Sequence, residues 1–352
     1  MRFPDFLLFP FALIYGGITA FRNHLFDTGL KRSQAFEVPT IVVGNLAVGG
    51  TGKTPFVEFL IKHLSPIFSL AVLSRGYGRK TRGFILADEK VGPREIGDEP
   101  FQIYTKFKQQ VRVAVGEERI LAIPMMLAET EGLQAILLDD AFQHRYLKAD
   151  GYILLTTFEK PFYKDHLLPV GRLREGRGNA RRADVVVVTK CPDTITRDEK
   201  ESMISNIKKF VPDEIPVFFA GLKYGTPYPL QQGGKVLSKN LILVTGIVDH
   251  KPMLNELTKN HTILEVLSFP DHHAYTGKDL QAIRRIAEKY REEKPAVITT
   301  EKDAVKFRGM KILQDLPVFV LPVEVDMDQQ DEQNLLYWVR KMIKIKNAGV
   351  KN

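Results

Sequence analysis

Cysteine and tryptophan are scarce in this chain, which has one of each among its 352 residues. The single cysteine, Cys191, excludes a disulfide framework and a zinc site built from cysteines, and it favours a reducing compartment. A continuous apolar run of ~20 residues, the length of a membrane-spanning helix, is also missing. The hydrophobic share of 44% and the charged share of 26% exclude a disordered chain and a polytopic membrane protein. The length predicts two domains of ~150 residues.

Acidic residues are outnumbered, because 42 Asp and Glu stand against 50 Lys and Arg, for a formal net charge of +8. This surplus predicts an anionic partner, and nucleic acid, a phosphate ligand and an acidic membrane surface all satisfy it. Five arginines lie within eleven residues, at Arg172, Arg174, Arg177, Arg181 and Arg182. Aromatic residues are not interleaved with them as in nucleic-acid-binding modules. We therefore expect a surface for anionic lipid or a phosphorylated ligand, and no nucleic acid partner.

The N-terminal region contains an uncharged segment, residues 6–20, which reads FLLFPFALIYGGITA. Fifteen residues are too few to span a bilayer as a helix, and Pro10 and the Gly16-Gly17 pair weaken such a helix further. A signal peptide is disfavoured, since no small-residue cleavage site precedes the polar residues that follow. Residues 1–35 therefore predict a membrane-associated region whose helix lies in the interface, and a helix buried in the core is the alternative. The basic residues that follow the apolar segment are Arg22, Lys31 and Arg32.

From residue 40 onward, apolar runs rich in valine and isoleucine alternate with stretches of helical periodicity. Uninterrupted apolar runs are typical of parallel strands that are covered on both faces. The first series of predicted strands is 41–45, 71–75, 111–115, 135–140, 152–157 and 184–190, and the second is 241–247, 262–268, 296–300 and 318–323. The predicted helices are 55–64, 117–131, 278–293 and 331–346. We expect an α/β fold with a mostly parallel sheet core over 36–220, a turn-rich connector over 221–240 and a smaller α/β domain over 241–352.

A glycine-rich loop follows the first predicted strand and precedes a helix. Glycines allow backbone N–H groups to approach phosphate oxygens, and a helix N-terminus adds positive potential. The lysine of the loop can reach the β and γ phosphates of a nucleotide, and the threonine after it can ligate magnesium. A chance glycine turn is the weaker alternative, because strand, lysine and helix coincide. The predicted phosphate-binding residues are Ala47, Val48, Gly49, Gly50, Thr51, Gly52, Lys53 and Thr54, with Ala47 where the usual pattern begins with glycine.

Two adjacent acids, Asp139 and Asp140, end the strand that begins at Ala135. A carboxylate at this position holds magnesium in P-loop enzymes, directly or through water. Solvated turn residues are the alternative. Gln143 and His144 follow, at the sheet edge where ligands bind in this architecture.

Other polar segments follow predicted strands and are weaker signals by themselves. The segment Ser74, Arg75, Gly76, Tyr77, Gly78 and Arg79 suits anionic oxygens, and a solvated basic loop is the alternative. Asp98 in Gly-Asp-Glu-Pro is most simply the N-cap of a helix. His272 and His273 lack accompanying residues at metal-ligand spacing, so a structural or surface role is the simplest interpretation.

Taken together and in this order, these motifs resemble one family closely, the tetraacyldisaccharide 4′-kinases, which phosphorylate the lipid A precursor. The resemblance covers most of the chain. It rests on VVGNLAVGGTGKTP, LSRGYGR, IGDEP, LLDDAFQHR, LLPVGRLRE, ADVVVVTK, FPDHHAYT and TTEKDAVK. It implies a P-loop NTPase-like core with a smaller C-terminal α/β domain and an N-terminal helix at the membrane interface. It also implies ATP and Mg²⁺, a lipid A disaccharide precursor as partner, and the cytoplasmic face of the bacterial inner membrane, with its anionic lipid, as location.

The resemblance also implies roles for individual residues. Asp98 is similar to the family's catalytic aspartate, and His272 to the histidine that acts with it, with Lys53 beside the phosphates. The residues implied to serve magnesium are Thr54, Glu99, Asp139 and Asp140. Residues expected to bind substrate are Asn45, Ser74, Arg75, Gly76, Tyr77, Gly78, Arg79, Arg119, Gln143, His144 and Arg172. The chain departs from the family pattern at Ala141, where glycine is usual, and His273 competes with His272 for the catalytic role.

The sequence thus predicts a magnesium-dependent ATP kinase that phosphorylates a sugar hydroxyl on a lipid. A P-loop GTPase or ATPase with a regulatory role is the alternative. A clear guanine-binding Asn-Lys-x-Asp motif is missing, and the nearest string is 189–193, TKCPD. Nucleotide hydrolysis with and without the lipid acceptor distinguishes the two.

Overall fold

The continuous apolar runs form the parallel strands that the sequence predicts. The structure is a computed structural model that describes residues 3–231, 236–307, 310 and 315–349, with side chains from residue 7 onward. Nine strands form the first sheet: β1 Thr40–Asn45, β2 Leu70–Ser74, β3 Ile85–Leu86, β4 Val111–Val115, β5 Ala135–Asp139, β6 Gly151–Thr157, β7 Val185–Thr189, β8 Val217–Tyr224 and β14 Val323–Met327. Their order is β14-β8-β7-β6-β1-β5-β2-β4-β3, and only the edge pairs β3–β4 and β14–β8 are antiparallel among the described residues.

Helices cover both faces of this sheet, which explains why its central strands are apolar on both sides. One face packs against α5 Arg119–Glu129 and α6 Arg197–Lys208. The other packs against α2 Lys53–Leu64, α4 Asp98–Phe107 and α10 Gln329–Gly349. A short helix, α3 Pro93–Ile96, precedes α4. We call this sheet with its helices the large unit.

A second sheet of five strands has the order β11-β10-β12-β13-β9. Its strands are β9 Tyr228–Pro229, β10 Asn240–Thr245, β11 Thr262–Ser268, β12 Ala296–Thr300 and β13 Val318–Leu321. Its helices are α7 Lys251–Thr258, α8 Gly277–Lys289 and α9 Glu301–Phe307. We call this part the small unit. The mostly parallel α/β architecture predicted from the sequence is confirmed for both sheets.

The chain returns to the large unit at its C-terminal end, which differs from the predicted boundaries. The predicted small domain, 241–352, includes β14 and α10, but β14 pairs with β8 in the first sheet. The predicted strand 318–323 is interrupted at Pro322, because proline has no backbone donor for the ladder. β14 covers the open edge of β8, and α10 buries its apolar side chains against the first sheet. The buried side chains of α10 are Leu335, Leu336, Val339 and Ile343.

The predicted connector is partly strand as well. β8 continues to Tyr224, past the predicted boundary at residue 220, and β9 pairs antiparallel with β13. Residues 232–235 of the connector lie outside the described residues.

The N-terminal segment forms a helix, α1 Phe3–Asp27, that is longer than its uncharged stretch. No helix in the described residues is long and apolar enough to cross a membrane. α1 is attached to the large unit by its inner face: the Tyr15 hydroxyl donates to the Arg174 carbonyl at 2.7 Å, and Asn23 Nδ2 donates to Glu175 at 2.8 Å. Its outer face is apolar and exposed, so α1 is not the buried core helix of the alternative prediction. The exposed residues are Leu7, Leu8, Phe9, Phe11, Leu13, Ile14, Ile18 and Phe21.

Candidate active site

The predicted phosphate loop lies between β1 and α2, at the carboxyl edge of the first sheet. Gly49 and Gly52 have φ angles of 105° and 79°, a left-handed conformation that favours glycine. Within the loop, Asn45 Nδ2 donates to the Thr51 hydroxyl at 2.8 Å. Thr54 is the second residue of α2, at the helix N-terminus. The loop therefore has glycines where its backbone is left-handed and precedes a helix N-terminus, and its role in phosphate binding stays a prediction.

A second segment, residues 172–174, supports the start of this loop. The Val48 amide donates to the Arg172 carbonyl at 2.8 Å, and the Arg174 amide donates to the Leu46 carbonyl at 2.7 Å. Ala47 forms an antiparallel bridge with Leu173 and is buried. At this position the chain has extended backbone paired with a neighbour, which tolerates alanine in place of the usual glycine.

Lys53 is held between polar groups at the mouth of the loop. Its Nζ lies 3.4 Å from Asn45 Oδ1 and 3.4 Å from Asp140 Oδ1. Arg174 Nη1 donates to both carboxylate oxygens of Asp140 at 3.0 Å. Burial raises the pKa of Asp140, but the charges of Lys53 and Arg174 outweigh it, and the pKa lies below its ordinary value. Asp140 is therefore ionised and positions the Lys53 ammonium.

Asp139, the residue before Asp140, is buried, and one of its carboxylate oxygens has no hydrogen-bond partner among the described residues. Ser74 donates its hydroxyl to Asp139 Oδ2 at 3.3 Å, while Oδ1 is buried without a hydrogen-bond partner among the described residues. Burial and the charge of Asp140 raise the pKa of Asp139 to about 6. An unpartnered carboxylate oxygen beside a phosphate loop fits a divalent cation.

Protein side chains alone do not form a metal site: no group of three or more His, Cys, Asp or Glu converges on one point in the part of the chain that the structure describes. Magnesium usually keeps several waters and binds through one or two carboxylates together with substrate phosphates. The three predicted acids Glu99, Asp139 and Asp140 do not form such a group among the described residues, so one or two of them with Thr54 would fit that mode of binding, and the ligand set stays a prediction.

Asp98 and His272 come together from opposite sides of the cleft between the two units. Asp98 is the first residue of α4, and His272 follows β11 in the small unit. His272 Nδ1 lies 3.7 Å from Asp98 Oδ2, and Lys306 Nζ of α9 lies 3.1 Å from the same oxygen. The helix cap is Gly97, and no side-chain cap is formed, so Asp98 is not the N-cap that its sequence position suggests.

The electrostatics of this pair favour charge on both partners. Burial raises the pKa of Asp98, but the neighbouring His272 and the charge of Lys306 outweigh it and hold the pKa below its ordinary value. Asp98 in turn raises the pKa of His272 above its ordinary value, against the effects of burial and of Lys302. Asp98 is therefore ionised, as a proton acceptor must be, with its cationic partners nearest to Oδ2.

Glu99 also faces the small unit. Lys302 Nζ lies 3.5 Å from Glu99 Oε1, 2.8 Å from Asp271 Oδ1 and 3.1 Å from His272 Nε2. Glu99 is thus beside the Asp98–His272 pair, and its predicted role as a magnesium ligand stays a prediction.

His273 is directed into the small unit instead. Its Nε2 lies 3.0 Å from Asp279 Oδ2, and its ring stacks on Phe269 with centroids 4.7 Å apart. Asp279 is the N3 residue of the capping box of α8. Of the two competing histidines, His272 is therefore the one that meets Asp98.

The loop after β2 is divided between exposed and buried residues. Arg75, Tyr77 and Gly78 are exposed, and the Tyr77 ring lies 5.5 Å from that of His272. Arg79 is buried: its side chain is 2% exposed and pairs with Glu117 at 2.6 Å. Its guanidinium also donates to the Gly83 carbonyl at 2.6 Å, so it links the loop to its surroundings, and a contact with substrate stays a prediction.

The glycines of this loop and of the Gly-Asp-Glu-Pro segment allow a close contact. Gly97 has a φ of 94°, and a Cβ there would lie 2.9 Å from the Tyr77 carbonyl oxygen. Gly76 has a φ of 73°, and a Cβ there would lie 3.0 Å from the Ile96 carbonyl. The two segments therefore pack backbone against backbone, which places Tyr77 beside Asp98 and His272.

Arg119, Gln143 and His144 lie beneath the predicted substrate surface. Arg119 is 2% exposed and donates to the carbonyls of Gly116 and Glu117 at 3.0 Å, so it supports the strand ends. Burial lowers its pKa to about 10. Burial, reinforced by Arg119, also lowers the pKa of His144 to about 4, which leaves this imidazole neutral near pH 7. Arg119 is almost fully buried and offers little surface for the predicted contact with substrate, which stays a prediction.

Gln143 and Arg172 connect the site to its surroundings. Gln143 Nε2 donates to the Asn45 carbonyl at 2.8 Å and to Glu175 at 3.0 Å. Arg172 Nε donates to Asp165 at 2.8 Å, and its side chain is partly exposed at the edge of the phosphate loop.

Sequence reasoning does not assign the roles of Arg174, Lys302 and Lys306. In the sequence, Arg174 is one member of an arginine cluster, and the two lysines belong to the motif TTEKDAVK. The spacing of the lysines could have predicted that both project from one face of a helix, because residues four apart lie on the same face. The partners across the cleft are determined by tertiary structure alone.

This geometry is accompanied by similarity to known proteins over nearly the whole chain. The family described as Tetraacyldisaccharide-1-P 4′-kinase matches residues 4–343. A protein of Flavobacterium johnsoniae named tetraacyldisaccharide 4′-kinase is 40% identical over 342 residues, which are 95% of this chain and 97% of the relative. A protein of the same name from Bacteroides thetaiotaomicron is 39% identical over 356 residues, with 95% of this chain and 93% of the relative covered.

A solved structure has the same fold. The crystal structure of LpxK from Aquifex aeolicus in complex with ATP superimposes with a TM-score of 0.73 and 30% identity, and the match covers 96% of this chain and 99% of that chain. With the phosphate loop, the paired acids and the Asp98–His272 contact already in place, this chain belongs to the tetraacyldisaccharide-1-P 4′-kinase family and is a kinase.

Proposed function

We propose that this protein transfers the γ-phosphoryl group of ATP to the 4′-hydroxyl of a tetraacyldisaccharide 1-phosphate, the lipid A precursor, in a magnesium-dependent reaction. The observation that carries the proposal is the Asp98–His272 contact across the cleft, within a chain that also has the phosphate loop and belongs to a 4′-kinase family. The names of the relatives and the ATP-bound relative support the choice of acceptor and donor.

The nucleotide end of the site is built from the loop 47–54. Its backbone N–H groups and Lys53 would bind the phosphates, and Asn45 and Asp140 hold the Lys53 ammonium in place. Asp139, whose Oδ1 is unpartnered among the described residues, would hold magnesium together with Thr54 and one of the acids Asp140 and Glu99. When bound, the metal neutralises charge on the phosphate oxygens.

At the acceptor end, Asp98 would act as the general base. It accepts the proton of the 4′-hydroxyl while that oxygen forms a bond to the γ-phosphorus and the bond to the β–γ bridging oxygen breaks, which releases ADP. His272, whose Nδ1 lies 3.7 Å from the carboxylate, would orient it and partly neutralise its negative charge. The exposed Arg75, with the partly exposed Arg172, would contact the phosphate that the acceptor already carries.

An apolar cavity beside α1 fits the lipid character of the acceptor. The cavity has a volume of about 260 Å³ and lies between α1 and residues 165–177. Phe9, Leu13, Leu167 and Val170 contribute apolar walls, and Arg177 also lines it. Since residues 172–174 of the same segment pair with the phosphate loop, an acyl chain in this cavity would hold the disaccharide near the site.

Incubation with ATP, Mg²⁺ and a tetraacylated disaccharide 1-phosphate tests the proposal. We expect mass analysis of the lipid to show the addition of one phosphate group. A parallel incubation without acceptor measures ATP and GTP hydrolysis. Hydrolysis that is equal with and without lipid, with no gain in lipid mass, would support the regulatory NTPase in place of the kinase.

We further propose that the outer face of α1 holds the protein on the cytoplasmic face of the inner membrane as a peripheral protein. Burial of a large apolar side chain contributes about 1.5–3 kcal/mol, so a few such residues suffice for reversible binding. The triple variant Phe11→Ser, Ile14→Ser, Ile18→Ser should bind vesicles containing phosphatidylglycerol at least about tenfold more weakly than the unmodified protein.

The substituted residues are exposed, so the fold should persist, and the melting temperature checks this. A matched control replaces exposed apolar residues elsewhere, Leu121→Ser and Ile345→Ser, and should leave vesicle binding unchanged. Equal vesicle binding by the triple variant and the unmodified protein would show that α1 is not the anchor.

A further inference from the structure

Asp98 belongs to the large unit, but the small unit supplies both of its ion-pair partners among the described residues. Lys306 Nζ lies 3.1 Å, and His272 Nδ1 lies 3.7 Å, from the same carboxylate oxygen, Oδ2. Oδ2 is thus the carboxylate oxygen nearest to both cations, and the Asp98 side chain is 19% exposed. The cations of the small unit therefore lie on one side of the carboxylate, which is partly exposed.

Contacts within the small unit also determine the position of Lys306. Its side chain is 7% exposed, and lysine is rarely buried to this extent unless it is paired. Asp303, one turn earlier on α9, lies 3.9 Å from its Nζ. Asp303 is itself fixed, because its Oδ2 accepts from the Gly246 amide and the Thr300 hydroxyl, each at 2.8 Å. The position of the ammonium is thus set by β10, β12 and α9.

A second bridge fixes α9 on α4 at the opposite end. Lys106, two turns after Asp98 on α4, lies 2.7 Å from Glu301 at the start of α9. Lys106 also lies 2.6 Å from Glu58 of α2, the helix that follows the phosphate loop. The two helices therefore pair antiparallel through opposite charges at both ends. One ion pair alone would allow α9 to pivot, whereas two define its position along α4.

We propose that Lys306 is a positioning residue for phosphoryl transfer, which orients the Asp98 carboxylate by holding Oδ2 so that Oδ1 faces the acceptor hydroxyl. This inference rests on the proposed function, in which Asp98 is the base. Lys306 neither gives nor takes a proton in the reaction. Lys306 acts on the reaction by orienting the Asp98 carboxylate. It can do so only while α9 of the small unit is packed against α4.

The test is a double-mutant cycle between Lys306→Met and Asp98→Asn, with phosphorylated disaccharide as the measured product. Methionine keeps the length of the side chain and removes the charge. We expect Lys306→Met to lower kcat roughly tenfold or more, because misplacement of a catalytic group by ~1 Å costs up to about 100-fold. The KM for ATP should stay within about twofold, since the nucleotide contacts are separate. In the Asp98→Asn background, Lys306→Met should change kcat by less than about twofold.

The matched control is Lys289→Met on α8, an exposed lysine paired with Glu265, and it should not change kcat. Melting temperatures identify any loss of folding, and Lys306→Gln, which keeps a polar end, replaces Lys306→Met if that variant unfolds. The proposal is overturned if Lys306→Met retains normal kcat, if it lowers kcat by the same factor in the unmodified and the Asp98→Asn backgrounds, or if both Lys306 variants unfold. Absence of phosphorylated lipid with the unmodified protein, or full activity of Asp98→Asn, would instead reject the proposed function.

Discussion

Lys53→Ala is expected to lower kcat by about 100-fold or more, the loss that follows removal of one preorganised electrostatic group at a transition state. The lysine ammonium is the cation aimed into the phosphate loop, and the proposed reaction depends mainly on positioning and charge neutralisation. The fold should survive, because Arg174 remains paired with Asp140 at 3.0 Å when Lys53 is absent. Steady-state kinetics with the lipid acceptor measures the effect.

Lys62→Ala is the matched control for this experiment. Lys62 lies on the same helix, is 61% exposed in its side chain and pairs only with Glu324 among the described residues. Exposed ion pairs contribute little, so this variant should keep normal kinetics and a normal melting temperature. Near-normal activity of Lys53→Ala would show that the loop is not the phosphate site.

Asp98→Asn should lower kcat by ~10²–10⁴-fold, the range for loss of a general base, with little change in the KM for ATP. Asparagine keeps the shape of the side chain and removes the basic carboxylate. Gly97 occupies the cap of α4, so a structural role for Asp98 in capping does not account for such a loss. Single-turnover measurement of lipid phosphorylation separates the chemical step from product release.

His272→Ala should lower kcat in the same direction, and the double variant should be scarcely worse than the poorer single variant, because members of one catalytic unit are not additive. His273→Ala is the matched control, since its ring stacks on Phe269 and faces Asp279 away from Asp98. A strong loss in His273→Ala with normal activity of His272→Ala would assign the role to the other histidine.

The individual elements that carry the phosphate chemistry could be predicted from local sequence. β1, the glycine loop and α2 are contiguous, and each is specified by nearby residues: an apolar run, glycines at positive φ, and helical periodicity. The strand over 111–115 and those over 262–268 and 296–300 coincide with the predictions. Parallel strands covered on both faces are apolar throughout, so such strands can be predicted from their own residues without knowing which strands lie beside them.

Exposure of charged side chains could not be predicted in the same way. Arg75 and Arg79 belong to one basic loop, yet Arg75 is exposed and Arg79 is buried against Glu117. Arg119 is predicted to bind substrate, yet it is 2% exposed and its guanidinium donates to the Asp139 carbonyl at 3.4 Å. The partner of Arg79 is a carboxylate 38 residues away in the chain. The local sequence around an arginine does not show whether its side chain will contact such a residue or a ligand, because the tertiary fold determines which groups lie near it.

The sequence by itself therefore determined the local features of the molecule. These are the α/β alternation, the glycine-rich loop, the acids at the end of β5 and the apolar N-terminal helix. Tertiary structure alone decided how they are joined. It returned β14 and α10 to the first sheet, because an open strand edge and an uncovered apolar face were available there. It also brought His272 and Lys306 from the small unit onto Asp98, 174 and 208 residues away in the chain. Such contacts depend on the packing of α9 against α4, and no local pattern of residues encodes that long-range choice.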